Sequence, residues 1–145
     1  PRPAAPTAPD APAPAFRGRL LLVDDNEPIL EATRGLLERC GCEVETAAGG
    51  NAALARLAAV AGDPEREFDL VLLDCQMPLL DGWETARRWR EEERRRQLSP
   101  VAIVALTAEE RAAVLPRCRE AGMDDVLGKP FSEEQLHALL AGWLR

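Results

Sequence analysis

Five side chains that could take part in phosphoryl transfer are spread over more than a hundred positions of this chain. They are Asp24, Asp25, Asp74, Thr107 and Lys129. Carboxylates brought close together repel one another, and a hard cation such as Mg²⁺, which takes oxygen ligands, balances their charge. Phosphoryl transfer needs an oxygen nucleophile, a metal ion, and a cation and a hydroxyl for the phosphoryl oxygens. Asp74, Mg²⁺, Lys129 and Thr107 would supply these parts, with an aspartyl phosphate as the covalent intermediate.

Each of these residues comes at or just after the end of a short segment that is predicted to be a β-strand. The segments are RLLLVD at 19–24, EVETA at 43–47, FDLVLLD at 68–74, VAIVALT at 101–107 and DVLG at 125–128. Helical spacing of apolar residues fills the intervals, so the pattern is a strand and a helix repeated five times. Apolar strands separated by helices predict an α/β fold with a doubly wound parallel sheet. Ligands bind at the carboxyl ends of such strands, where all five side chains are expected to meet.

Composition and charge exclude several classes of function. The chain has 145 residues, of which 46% are hydrophobic, and it contains no apolar run of about 20 residues and no signal peptide. Its net charge of −7 argues against nucleic-acid partners and against membrane contact by this domain. The segment RRWREEERRR at 87–96 is interpreted as a solvated helix face with internal ion pairs.

The first 15 residues differ in composition from the rest. PRPAAPTAPDAPAPA at 1–15 is predicted to be a disordered Pro/Ala linker, and 16–145 a single folded domain. The chain lacks an initiator Met, which suggests a piece of a longer protein. The four cysteines and the lone His137 show no metal-ligand spacing, so buried free thiols in a reducing cytoplasm are expected. We therefore expect a cytoplasmic domain, whether or not a membrane-bound parent protein tethers it.

Four segments, taken in order, resemble the receiver (response regulator) domain of two-component signalling. They are LLVDDN at 21–26, LLDCQMPLLDG at 72–82, ALTA at 105–108 and GMDDVLGKPF at 122–131. The resemblance covers residues 19–145. It implies a flavodoxin-like (βα)5 fold with a five-stranded parallel sheet in the strand order 2-1-3-4-5.

The same resemblance implies a role for each reactive residue. Asp74 would accept a phosphoryl group from phosphohistidine, in a reaction that the domain itself catalyses, so the chain would not be a conventional enzyme. Asp25, Asp74 and the backbone carbonyl of Gln76 would bind Mg²⁺, with Asp24 acting partly through water. Thr107 and Lys129 would contact the phosphoryl group, and a cis peptide between Lys129 and Pro130 would position the lysine.

The motifs DCQMP, ALTA and GMDD are most similar to those of receivers in hybrid sensor histidine kinases. The expected partners are a histidine kinase, a histidine-phosphotransfer protein, or both. Pro28 and Ile29 would contact the phosphotransfer protein, unless these two residues belong to the core. The domain itself is expected to be monomeric.

The alternatives are a free-standing response regulator, a receiver-like scaffold that is not phosphorylated, and a haloacid-dehalogenase-like hydrolase with an aspartyl nucleophile. The hydrolase would need a second acid two residues after Asp74, where Gln76 stands.

Two positions depart from the usual pattern. Val126 stands three residues before Lys129, where the family usually carries Tyr or Phe. In the family this aromatic side chain usually transmits the movement of the threonine, here Thr107, to the outer face. Its replacement by Val126 puts that conformational switch in question. Pro116 falls within the fourth predicted helix, at roughly 109–121. Proline is tolerated in the first turn of a helix, so we expect this helix to begin near Leu115. The three tryptophans are interpreted as packing residues.

Overall fold

Five parallel strands alternate with five helices in the computed structural model, which describes residues 16–144. The strands are β1 (Arg19–Val23), β2 (Glu43–Ala47), β3 (Leu70–Asp74), β4 (Ala102–Thr107) and β5 (Asp125–Gly128). The helices are α1 (Glu27–Arg39), α2 (Gly50–Val60), α3 (Gly82–Arg96), α4 (Arg111–Glu120) and α5 (Glu133–Trp143). The sheet order is β2-β1-β3-β4-β5, and every pair is parallel. The predicted fold class is confirmed, whereas the predicted linker at 1–15 lies outside the described residues.

The core has two layers, one on each face of the sheet. Because side chains alternate along a strand, Leu21 and Val23 of β1 pack on one face while Leu20 and Leu22 pack on the other. The first face is covered by α2, α3 and α4, and the second by α1 and α5. The central strands are buried on both sides, which explains why their sequences are apolar without alternation.

Side-chain caps begin three of the helices close to the ends of strands. Asn26 accepts a hydrogen bond from the Ile29 N–H at 3.1 Å at the start of α1, and Asp81 accepts one from the Glu84 N–H at 2.8 Å at the start of α3. A capping box of Ser132 with Gln135 is present at the start of α5. Such caps satisfy free N–H groups of the first turn and hold the loops that carry the reactive residues.

The predicted start of α4 near Leu115 was wrong. The helix begins at Arg111, so Pro116 lies in its interior and cannot donate a hydrogen bond to the carbonyl of Ala112. Both Ala112 and Pro116 are exposed, which leaves that carbonyl open to water. Val114 and Cys118 are buried against the sheet, and this packing keeps the turn helical despite the proline.

The charged segment of α3 is only partly a solvated face. Exposed pairs such as Arg95 with Glu92 agree with the prediction, but Arg90 and Glu93 are buried. Arg90 donates to Glu93 Oε1 at 2.7 Å, to Asp124 Oδ2 at 3.0 Å and to the carbonyl of Gly122 at 2.8 Å. Arg90 therefore joins α3 to the segment that leads into β5, and Glu93 holds Arg90 in place.

The predicted free thiols are confirmed, since all four cysteines are unpaired and buried. Spacing in the sequence did not reveal that Cys40 Sγ lies 3.2 Å from His137 Nε2.

Trp83 and Trp89 pack in the core as expected, whereas Trp143 is 37% exposed and donates to Asp125 Oδ2 at 3.3 Å. Among the described residues, no helix combines the length and the apolar character that crossing a bilayer requires.

Candidate functional site

Lys129 lies between two buried carboxylates at the carboxyl edge of the sheet. Its Nζ is 3.3 Å from Asp24 Oδ2 and 3.4 Å from Asp74 Oδ1. Asp24 follows β1 and Asp74 ends β3, and these two strands are neighbours in the sheet. The fold therefore brings together residues that are 105 positions apart in the chain.

Both oxygens of Asp24 already have partners. Oδ1 accepts a hydrogen bond from the backbone N–H of Asn26 at 2.9 Å, and Oδ2 pairs with Lys129. The backbone N–H of Asp24 donates to the carbonyl of Ala47 at 3.2 Å, which fixes the end of β1 against β2. Asp24 is thus held rigidly, and a water molecule between it and a metal ion fits this arrangement better than direct ligation through Oδ1 or Oδ2.

The two oxygens of Asp74 differ in their surroundings. Oδ1 accepts a hydrogen bond from the backbone N–H of Gln76 at 3.3 Å and pairs with Lys129. Oδ2 has no hydrogen-bond partner in residues 16–144. One oxygen is therefore held by two partners, while the other has none within the described residues and is the candidate to react.

Burial is the largest influence on the ionisation of Asp74. It raises the pKa of Asp74, and the nearby charge of Asp24 raises that pKa further. The Lys129 ammonium and the Gln76 N–H lower it and offset part of this effect. Repulsion between the acids, which the sequence predicted, therefore raises the pKa of Asp74 less than burial does.

Three carboxylates form a cluster that could hold a metal ion. Asp24, Asp25 and Asp74 each offer one oxygen within 4.8 Å of the others. Three carboxylates against the single ammonium of Lys129 leave an excess of negative charge when all are ionised, and an all-oxygen donor set suits Mg²⁺. Asp25 is exposed, so the cluster opens to solvent on its side. The donor set of the three acids therefore fits the predicted ion. The Gln76 N–H donates to Asp74, and the predicted role of the Gln76 carbonyl as a ligand stays a prediction.

Thr107 ends β4, the neighbour of β3 on the other side. In the pairing of β3 with β4, Leu106 lies beside Asp74. Thr107 therefore lies one residue further towards the carboxyl edge than Asp74. The carbonyl of Thr107 accepts a hydrogen bond from the Lys129 N–H at 2.7 Å. Its hydroxyl accepts one from the Glu109 N–H at 3.1 Å, and it makes no hydrogen bond to Asp74 in residues 16–144. The peptide between Lys129 and Pro130 is cis, as the resemblance implied.

Beside this site the side chain of Gln76, a residue that was predicted only as a backbone ligand, faces the side chain of Glu109, which the sequence did not single out. The side-chain amide of Gln76 lies 3.5 Å from Glu109 Oε2. Gln76 is two residues after Asp74, and Glu109 is two residues after Thr107, so each belongs to the loop that follows a reactive residue. Both are exposed and polar, and no sequence pattern indicates that their side chains contact each other.

Gly82 sets how closely α3 approaches the end of β3. A Cβ atom at this position would lie 2.3 Å from the backbone oxygen of Asp74 and 2.8 Å from the Cα of Cys75. No side chain fits at these distances. The first residue of α3 must be glycine for the helix to pack directly on the backbone of the candidate nucleophile.

Val126 is buried with the layer that includes Ala105 and Val114. Its carbonyl accepts a hydrogen bond from Arg111 at 3.0 Å, which ties the start of α4 to β5. The position that usually carries an aromatic side chain therefore belongs to the aliphatic core in this chain.

A parallel sheet in the order 2-1-3-4-5, with three carboxylates and a lysine at its carboxyl edge, is the arrangement of a receiver domain. The family model described as the response regulator receiver domain matches residues 20–141, and the chain belongs to this family. It is a receiver domain, as the sequence motifs predicted.

Several proteins to which this chain is similar are named sensor proteins or histidine kinases. The sensor protein GacS of Pseudomonas syringae pv. syringae is 42% identical over 86% of this chain, but the match covers 13% of GacS. Two solved structures are also similar. The receiver domain of the Arabidopsis thaliana histidine kinase CKI1 with Mg²⁺ has a TM-score of 0.78 and 29% identity, covering 89% of this chain and 94% of that one.

The second structure is the receiver domain of the sensor histidine kinase PA1611 from Pseudomonas aeruginosa PAO1, with a magnesium ion in its active-site cleft. It has a TM-score of 0.71 and 34% identity, covering 87% of this chain and 96% of that one. The chain spans 13% or less of the length of the curated relatives considered. Nothing in these similarities favours the hydrolase or the scaffold.

Proposed function

We propose that this receiver domain accepts a phosphoryl group on Asp74 from a phosphohistidine donor and requires Mg²⁺ to do so. One observation carries the proposal. Lys129 Nζ lies 3.4 Å from Asp74 Oδ1, while Asp24 and Asp25 offer oxygens within 4.8 Å of an Asp74 oxygen. A nucleophile, a cation for the phosphoryl oxygens and a donor set for a divalent ion therefore meet at one point.

The transfer joins Asp74 to phosphorus as the donor bond breaks. The free carboxylate oxygen of Asp74 forms an O–P bond while the N–P bond to the donor imidazole breaks. The electron pair of the N–P bond stays on the imidazole nitrogen, and a proton from solvent neutralises any charge that remains there. The product is an acyl phosphate on Asp74 and an unphosphorylated histidine on the donor.

The residues around Asp74 hold the reacting groups in place. Lys129, fixed by its backbone hydrogen bond to Thr107, would neutralise a phosphoryl oxygen, and the Thr107 hydroxyl would bind another. Mg²⁺, held by Asp25 and Asp74 with Asp24 through water, would neutralise negative charge on the phosphoryl oxygens when it is bound. The Gln76 N–H keeps the Asp74 carboxylate oriented.

The relatives suggest the parent protein and the partner. GacS is named a sensor protein, and CKI1 and PA1611 are named histidine kinases. We therefore propose that this domain belongs to a hybrid sensor histidine kinase and exchanges phosphate with a kinase or a histidine-phosphotransfer protein; its location in the cytoplasm stays a prediction from the sequence. Pro28 and Ile29 support docking beside α1, because both are exposed at its first turn and so are not core residues.

The test is the intact mass of the protein after incubation with acetyl phosphate. Wild type with Mg²⁺ should gain one acid-labile phosphate, and omission of Mg²⁺ or the substitution Asp74→Asn should abolish the gain. The substitution Asp81→Asn alters a helix cap outside the acidic cluster and serves as the control that still gains phosphate. An equal gain in Asp74→Asn, or a gain that persists without any divalent ion, would contradict the proposal.

A further inference from the structure

Leu79 combines an unfavourable backbone conformation with a fully exposed apolar side chain. Its φ is +71°, and the carbonyl of Pro78 accepts a hydrogen bond from the Leu80 N–H at 2.8 Å, which makes Leu79 the centre of a three-residue turn. Turns of this hand are rare and strained, and glycine or asparagine adopts positive φ more readily than leucine. The whole side chain of Leu79 lies in solvent.

The loop around Leu79 is fixed at both ends. The N–H of Gly82 donates to the carbonyl of Cys75 at 2.9 Å, and the neighbouring Leu80 is buried. Asp81 caps α3 immediately after it. The leucine is therefore held outward on a rigid turn, five residues after Asp74, and its exposure does not result from a loose loop.

A proline followed by an apolar residue, as in Pro78–Leu79, also comes after Asp24 and after Lys129. Pro28–Ile29 comes within five residues of Asp24, and Pro130–Phe131 comes directly after Lys129, as Pro78–Leu79 comes after Asp74. All three prolines are exposed, Ile29 is 41% exposed and Phe131 is half-buried. We call Ile29, Leu79 and Phe131 the apolar rim. Phe131 packs partly against the core, so Leu79 exposes the largest fraction of its side chain in this set. Apolar surface exposed around a charged site is typical of a protein-binding surface.

We propose that Leu79 is a docking contact for the protein that carries the donor phosphohistidine; this inference rests on the proposed function. Asp74 is 5% exposed, so the histidine nitrogen that carries the phosphoryl group must enter the site and approach the Asp74 carboxylate closely. The donor surface around the histidine then covers the rim, whereas a small phosphodonor enters without touching it. Asp25, Glu27 and Glu109 are exposed beside the three loops. The partner surface is therefore apolar around its histidine and carries cationic side chains at its edge.

The experiment compares a protein donor with a small donor for the same Asp74. The protein donors are a panel of phosphorylated histidine-phosphotransfer domains, of which the fastest for wild type is retained, and the small donor is acetyl phosphate. The measured quantity is the ratio of the two kcat/KM values. Leu79→Asn and Leu79→Gly suit the positive φ and remove the apolar contact, so this ratio should fall about tenfold. Leu79→Met keeps an apolar side chain and should keep most of the ratio.

Trp143→Gln is the matched control. This residue is also exposed and apolar, but it contacts Asp125 at the opposite end of β5, so the ratio should not change. A wild-type ratio in Leu79→Asn would overturn the proposal. So would an equal loss with both donors, or no transfer from any panel member while acetyl phosphate still works. No phosphorylation of wild type by either donor would instead overturn the proposed function.

Discussion

Lys129 Nζ lies 3.3 Å from Asp24 Oδ2, although 105 positions separate the two residues in the chain. The lysine is therefore shared between Asp24 and Asp74 and does not belong to the candidate nucleophile alone. Because Lys129 is shared, it offsets less of the desolvation cost of the buried Asp74 carboxylate than a lysine paired with Asp74 alone would. The stability of the metal-free domain should reflect this incomplete compensation.

We expect Asp74→Asn to stabilise the metal-free domain at neutral pH. Burial raises the folded pKa of Asp74 above its unfolded value, so the ionised group lowers the free energy of unfolding at every pH above both values. This penalty shrinks as pH falls and vanishes below the unfolded pKa of about 3.9. Urea denaturation between pH 5 and 8 without divalent ions measures the effect.

The control for this prediction is Asp69→Asn, which changes an exposed acid outside the cluster. Its unfolding midpoint should not rise in the same way. A midpoint for Asp74→Asn equal to or below that of wild type across this pH range would contradict the prediction.

The ion pairs of Arg90 should contribute far more to stability than the exposed pairs on the same helix. Arg90→Met leaves the buried Glu93 carboxylate with the Val101 N–H as its one remaining partner among residues 16–144, and breaking a buried pair costs about 3 kcal/mol. Arg95→Met breaks an exposed pair with Glu92 and should change the free energy of unfolding far less, because solvent screens an exposed pair. Urea denaturation of the two variants measures this difference, and equal effects would contradict it.

The sequence predicted most of the reactive site because its signals are local. Apolar strands that end in Asp24, Asp74 and Thr107 indicate both the fold and the edge at which these residues meet. The caps at Asn26 and Ser132 follow equally well from short-range rules. The proximity of Lys129 to the two acids then follows from the parallel topology.

Other features depend on contacts that no local pattern contains. Arg90 and Glu93 look like their charged neighbours in α3, and only the approach of Asp124 from a distant loop makes them buried partners. The contact between Gln76 and Glu109 joins two loops whose conformations are not determined by residue type. Leu79 resembles a core residue, but the turn around it directs the side chain into solvent.

We expect Pro116→Ala to stabilise α4. Alanine restores the hydrogen bond to the carbonyl of Ala112 and removes a helix-interior proline, while the greater freedom of the unfolded chain offsets part of the gain. The free energy of unfolding should rise by about 2 kcal/mol, and amide exchange in α4 should slow. Pro64→Ala, in an exposed turn, should show no such gain. An unchanged or lower stability in Pro116→Ala would contradict this account.

The domain should remain a monomer when it carries a phosphate mimic. Asp125 of β5 binds Arg111 of α4 and Trp143 of α5 within the same chain, so these groups are already occupied on the α4–β5–α5 face. Val126 adds no aromatic side chain to that face. Light scattering with Mg²⁺, with and without beryllofluoride, should give the same mass. A dimer that forms only with beryllofluoride would contradict the prediction.

The most direct test of the account is the position of the phosphate. Borohydride reduces an aspartyl phosphate to homoserine, which peptide mass mapping locates in the chain. After phosphorylation with acetyl phosphate and Mg²⁺, the account predicts homoserine in place of Asp74 and in no other position. Homoserine in place of Asp24 or Asp25, with Asp74 intact, would contradict it.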